Sequence, residues 1–245
     1  MSKIQFINSL DLDSKFYPVP AKAALPSWYK EIPSYAKDQE NLLDSAKELL
    51  VNKSGEHGPA TIKKCMPVFD SLSAGYFIVS HSDIIVFDQK GENNVWYRWP
   101  EAVDVITFHE FYQVAGYPFK KEEYAKPIAK WRNPWGIKTE KGYSCLVIPP
   151  MHRENIIEVM PGVVDTDLYN SPIEFPFRLK NTGWRGKIPA GTPIAQVIPF
   201  KRESYKMEVL SKEQGEPHIK KANKMINSTF YHVYKNNFWT KKDYS

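Results

Sequence analysis

A mainly β fold, a sandwich or barrel of jelly-roll type, is what this sequence predicts, and three observations lead there. Between Ala60 and Val209, short runs rich in β-branched and aromatic residues are separated by turn signals such as DQKGENN. Prolines outnumber glycines, 19 to 12, which favours short strands and rigid connections over long helices. Strands do not alternate with helices in the manner of a parallel α/β sheet. At 245 residues, 42% of them apolar and 14% aromatic, the chain has the material for a real core.

The elements read in three blocks. Residues 1–59 form an N-terminal arm followed by one helix. Pro18, Pro20, Pro26 and Pro33 interrupt any helix over residues 1–35 and place Trp28 and Tyr29 between two of them. Leu42, Leu43, Ala46, Leu49 and Leu50 then recur at helical spacing within KDQENLLDSAKELLVN, and SGEHGP ends the helix. Residues 60–210 are the β-rich core, with strands expected in TIKKCMPVFD, GYFIVS, DIIVFDQ, NVWYRW, AVDVITFHEF, YSCLVIPP, IIEVMPGVV, IEFPFRLK and IAQVIPFKR. Residues 211–245 hold a C-terminal helix and a basic tail. That helix should begin near Pro217 and carry Ile219, Met225, Ile226, Phe230 and Val233 on or near one face.

Charge and cysteine usage narrow the classes of function. The formal charge is +5, and Lys201-Arg202, Lys220-Lys221 and Lys241-Lys242 carry much of the excess. Such a field helps attract a phosphate-bearing ligand, although an ordinary solvated surface explains it as well, and nucleic acid is not indicated. The N-terminus has no signal-peptide pattern and no run is long enough to span a membrane, so a cytoplasmic protein is expected. Cys65 and Cys145 stand in apolar contexts without metal-ligand neighbours, which reads as two buried free thiols. The histidines indicate no metal site. His109-Glu110 lacks a second His at helical spacing, and a triad of His109, His152 and Asp165 is only composable, not signalled.

Three stretches carry candidate chemistry. In MPGVVDTDLYNSPIEFPF, Asp165 and Asp167 are two residues apart, facing the same way in a strand but reoriented in a turn. Paired carboxylates there could orient a water or share a metal, and equally could cap a polar turn. In IPAGTPIAQVIPF, Gln196 is the one amide within an apolar strand and must find partners if buried. In WRNPWGIKTEKGYS, Trp131, Arg132 and Trp135 read either as an aromatic platform for a base or sugar, or as a bulky turn closing one end of the fold.

The stretches GVVDTDLYNSPIEFPF and GWRGKIPAGTPIAQVIPFKRESYKMEV together resemble the deoxyuridine triphosphatase and deoxycytidine triphosphate deaminase superfamily over about residues 147–210. DSLSAGYFI resembles that superfamily's Ala-Gly-Tyr motif, with Phe77 at its acidic position. Across nearly the whole chain, PAKAALPSWYKEIP, TIKKCMPVFDSLSAGY and the later segments also resemble a domain of unknown function found in tailed phages and bacteria.

The resemblance implies a β-sandwich or barrel and a homo-oligomer, a trimer in that superfamily. It implies a nucleotide-like phosphorylated ligand, bound and in the superfamily hydrolysed. Asp165 would be base or sugar-hydroxyl partner with Asp167 beside it, His152 and Arg153 would face phosphate, and Tyr76, Tyr169 or Trp135 would stack on the base. Gln196 falls in the strand after the turn. Mg²⁺ between the phosphates would accompany hydrolysis. The superfamily's Pro-Arg-Ser-x-Leu phosphate motif is replaced here by PPMHREN, and its Gly-rich C-terminal loop by a basic segment. Those replacements keep a second expectation open: a non-enzymatic phage protein, in the virion or bound to a host component, that uses the β scaffold for assembly.

Overall fold

The computed structural model describes residues 2–35, 60–88, 95–114, 116, 128–181, 183–228 and 233–244. The helix expected over residues 37–52 lies outside the described residues. Two compact units divide the chain: residues 1–24 with 75–202 and Tyr244, and residues 25–74 with 203–243. These boundaries differ from the 59/60 and 210/211 divisions read from composition.

The first unit is built from antiparallel strands in three sheets. One sheet runs β1 (Ile4–Asn8), β7 (Ala129–Thr139), β11 (Pro172–Leu179), β9 (Ile157–Val159), with β6 (Ile106–Phe108) also on β7. A second runs β10 (Gly162–Val164), β8 (Tyr143–Ile148), β13 (Pro193–Lys201), β3 (Tyr76–Val79), β2 (Val19–Pro20). The third is β12 (Gly186–Ile188), β4 (Ile84–Asp88), β5 (Val95–Arg98). All three contribute to one core: Trp131, Ile137, Phe175 and Phe177 from the first, Ile78, Val147 and Val197 from the second, Ile84, Val86 and Ile188 from the third. A smaller cluster of Ala21, Phe77 and Val79 packs with Phe16 and Val19 on the other face of β3.

Several expected elements changed identity. Residues 4–8, expected within the extended N-terminal arm, form a strand of the first sheet. Alternation of half-buried and exposed residues over Ile4–Asn8 suits a strand, and β1 pairs with β7 from Ile4↔Thr139 to Asn8↔Trp135. TIKKCMPVFD is not a strand but a 3-10 turn leading into the helix Met66–Ser73, with Pro67 in its first turn where a missing N–H costs nothing. Cys65 precedes that helix and is exposed rather than buried, whereas Cys145 is buried as expected. WRNPWGIKT is neither a platform nor a turn but most of β7, the longest strand among the described residues.

Gly75 at the head of β3 has φ +66, and a Cβ there would lie 2.0 Å from the Val197 carbonyl oxygen, so only glycine lets β3 approach β13.

The regular elements described in the second unit are helices, apart from a β-bridge between Tyr35 and Ala60. Its helix Lys212–Ser228 begins five residues before Pro217, which sits inside it. The reason is local. Ser211 N donates to Gln214 Oε1 at 3.0 Å and Gln214 N to Ser211 Oγ at 3.3 Å, a reciprocal capping box that starts the helix ahead of the proline. In the same unit Asp70 accepts from Trp239 Nε1 at 3.0 Å and from Lys242 Nζ at 2.7 Å, which ties the tail to the helix Met66–Ser73. No described helix is long and apolar enough to cross a membrane.

Trp131 is fully buried at the middle of the first sheet. Trp131→Ala should therefore cost about 3–5 kcal/mol in urea unfolding, the range for emptying an aromatic core site, while Trp96→Ala on half-buried β5 should cost clearly less.

Candidate functional site

The stretch around Asp165 forms a tight turn. Leu168 N and Tyr169 N both donate to the Asp165 carbonyl oxygen, at 3.0 and 2.9 Å, so the chain reverses directly after β10. Thr166 points inward, fully buried, with its hydroxyl 2.8 Å from that of Thr139. Burying the middle residue sends the two flanking carboxylates into different surroundings.

Asp167 is the sequestered one, with a side chain only 3% exposed. Arg202, at the end of β13, grips it with both ends of its guanidinium: Nη1 to Oδ1 at 2.7 Å and Nη2 to Oδ2 at 2.5 Å. The Gly142 N–H adds a third hydrogen bond at 2.8 Å. Gly142 occupies the β7–β8 turn with φ +86, and its carbonyl accepts the Arg202 N–H at 2.8 Å. With the Arg202 side chain foremost, then the Gly142 N–H, these donors hold the Asp167 carboxyl down at about 2.

Asp165 faces outward, its side chain 54% exposed. Its Oδ1 accepts from the buried Ser144 hydroxyl at 2.6 Å and lies 3.2 Å from Arg202 Nη1. Arg202 Nη1 also donates to Ser144 Oγ at 3.0 Å, so serine, arginine and carboxylate form a closed triangle. Tyr169 and Leu168, 51% and 76% exposed, flank the carboxylate on the same turn. The outcome is an oriented hydrogen-bond acceptor beside exposed aromatic and aliphatic surface.

The remaining candidates do not gather around Asp165. Trp131 and Trp135 are 0% and 2% exposed and present no open ring face, which corrects the platform expectation; Trp135 instead packs edge-on to Tyr17 at 5.3 Å. Arg132 is half exposed and lies near Asp104 and Glu174. Tyr76 packs edge-on to Phe6 and Tyr244, at 5.3 and 6.3 Å.

His152 and Arg153 follow the far end of β8 from Ser144. His152 is exposed with φ +54, and Arg153 stacks 4.6 Å over the Phe77 ring while Nη2 donates to the Ala24 carbonyl. Burial pulls the Arg153 pKa down. Gln196 is fully buried, and its Oε1 accepts from the Met151 N–H at 3.0 Å, so it braces the loop after β8. The sequence marked Arg202 only as half of a basic pair and did not mark Ser144, although Ser144 lies at the start of β8 and Arg202 follows the end of β13, the strand paired with it.

The donor set does not suit a metal ion of the protein's own. Both carboxylates are turned to one guanidinium, and no described group of three or more His, Cys, Asp or Glu is placed to hold a cation. His109, His152 and Asp165 are not brought together as ligands.

No family model matches the sequence, and no curated protein matches it. Two solved phage dUTPases are similar to it. The Staphylococcus bacteriophage 80alpha dUTPase, a mutant solved with dUpNHpp, is 12% identical, with a TM-score of 0.25 over 34% of this chain and 66% of that one. A mutant dUTPase from phage phi11 of S. aureus, whose structure describes a structural Mg(II) ion, is 10% identical, with a TM-score of 0.32 over 56% of this chain and 83% of that one. The chain thus spans just under two thirds of the length of the first. At these identities the functional reading rests on the side chains themselves.

The Asp167 clasp has a pH signature. A carboxyl held near 2 when folded, against an ordinary 3.8, adds stability that is complete above about pH 4 and is lost as pH falls through about 2. Asp167→Asn should lower the melting temperature at pH 7 and flatten its fall between pH 4 and 2, read by circular dichroism.

Proposed function

We propose that this chain binds a nucleotide-like phosphorylated ligand, on a scaffold of deoxyuridine triphosphatase-like, jelly-roll type, with Asp165 accepting a hydrogen bond from a sugar hydroxyl. The observation that carries this is the Asp165 carboxylate itself: half exposed, aimed by Ser144 at 2.6 Å and Arg202 at 3.2 Å, and flanked by exposed Tyr169. A sugar offers a donor to a fixed carboxylate and an apolar face to a ring, which is what this turn presents.

Hydrolysis would ask more, because a general base must take a proton from water. The Asp165 charge is already shared with a guanidinium and a hydroxyl, which favours binding over catalysis. A divalent ion carried on the ligand's phosphates would neutralise their charge. The chain's own part is to seat the sugar.

A second reading, a non-enzymatic assembly or host-interaction protein, is favoured by one observation. Residues 203–210 form neither strand nor helix, and Tyr205, Met207 and Val209 are 85%, 87% and 84% exposed. Lys206 and Glu208 alternate with them, so in extended chain the three apolar side chains share one face. Apolar surface bared in this pattern marks a segment that another chain covers, and a second copy, as in a homotrimer, is the simplest such chain.

Two measurements separate these readings. With a panel of deoxynucleoside triphosphates and Mg²⁺, one nucleotide at about a hundredfold excess over its Kd should stabilise the fold by about 2.7 kcal/mol, seen as a raised melting temperature. Little pyrophosphate should be released, and Asp165→Asn should abolish the stabilisation. If no nucleotide shifts the melt, the ligand reading fails; if Asp165→Asn still responds, the site lies elsewhere. For the second reading, light scattering should give an oligomer for the native chain and a monomer once Tyr205, Met207 and Val209 are all changed to Ser. An unchanged mass would remove residues 203–210 as an assembly element.

A further inference from the structure

Along one edge of β7 the neighbouring strands do not meet. β1 covers residues 135–139 and β6 covers residues 129–131, and after one further hydrogen bond, from Arg132 N to the Val105 carbonyl at 2.9 Å, Asn133 and Pro134 lie at a gap. Pro134 suits this place, since it has no N–H for a ladder, and its carbonyl is taken by Ser9 N at 3.1 Å and Ser9 Oγ at 2.6 Å. On the opposite edge β11 shifts its register between Pro172 and Glu174. A cavity of about 460 Å³ opens at this double irregularity, with Leu10, Val103, Pro134 and Pro172 as apolar lining and Asp104, Arg132 and Glu174 as charged lining.

The charges there are placed but not spent. Arg132 Nη1 lies 3.5 Å from Asp104 Oδ2, and its Nε lies 3.7 Å from Glu174 Oε1. These are ion-pair separations beyond good hydrogen-bond length, and among the described residues the Arg132 side chain makes no hydrogen bond. Arg202 shows the contrast, with contacts at 2.7 and 2.5 Å. Glu174 is otherwise engaged, by Lys130 Nζ at 2.7 Å, whereas Asp104 is 66% exposed. Arg132 therefore keeps open donors beside an open carboxylate.

This pattern selects by charge. A lone anion reaching Arg132 also meets two carboxylates, and a lone cation reaching Asp104 meets the guanidinium. A molecule with a carboxylate and an ammonium one carbon apart satisfies both partners at once. Leu10 and Val103, 43% and 44% exposed, add apolar wall for a side chain to cover.

We propose that this cavity binds a small zwitterion of the α-amino-acid type, its carboxylate on Arg132, its ammonium on Asp104 and a large apolar side chain against Leu10 and Val103. The site shares no residue with the Asp165 turn, so it stands whether or not nucleotide binds there.

Calorimetric titration of the full chain with phenylalanine, phenylacetate and phenethylamine tests it. Phenylalanine should bind, and the two single-charge analogues should bind at least about tenfold more weakly, which corresponds to 1.4 kcal/mol. Arg132→Gln and Asp104→Asn should each weaken phenylalanine by a similar factor. Asp104 is well exposed, so its variant should fold normally and keeps the test decisive if Arg132→Gln does not. Absence of phenylalanine binding at millimolar concentration would overturn the proposal. So would equal binding of either analogue, or full affinity in Asp104→Asn.

Discussion

The fork of Arg202 on Asp167 is the contact on which the candidate site depends. It joins the end of β13, the β7–β8 turn at Gly142 and the turn after β10, three places far apart in sequence. A carboxylate with 3% of its side chain exposed must have its charge answered, and here a bidentate arginine and a backbone N–H answer it. The same guanidinium then reaches Ser144 and Asp165, so a contact that stabilises the turn also aims the exposed carboxylate. Two aspartates that look equivalent in DTD become a structural anchor and a presented acceptor.

Strand β7 has a comparable role for the body of the first unit. It pairs with β1, β6 and β11, and its Trp131 lies at the centre of the core. Placing tryptophans inside a strand removes them from ligand recognition. The same strand must accommodate Pro134, and the ladder opens beside it. The cavity next to Arg132 follows from that interruption. Both proposed sites thus lie where regular pairing stops, at a turn in one case and a gap in the other.

Helical elements were set by chemistry at their ends more than by their apolar periodicity. Ser211 and Gln214 start a helix ahead of Pro217, because satisfying the first orphan N–H groups outweighs one lost interior hydrogen bond. Pro67 does the same for residues 66–73, a stretch whose β-branched and aromatic letters suggest a strand. Local composition is a weak guide wherever a cap or an N-terminal proline competes with it.

By itself the sequence determined the mainly β character, most strand positions and the place of the DTD turn, because alternation, branching and turn residues act over a few neighbours. It also determined that Asp165 and Asp167 would be polar features between two apolar strands. Only the tertiary structure decided what each carboxylate does, since their partner Arg202 lies 35 residues beyond Asp167. It likewise decided that Trp131 and Trp135 belong to the core, that Gln196 braces the Met151 loop, and that Arg132 opens onto a cavity. The physical reason is common to all of these. Burial and charge pairing are set by which strands lie side by side, and strand neighbours distant in sequence leave no mark in the local pattern of residues.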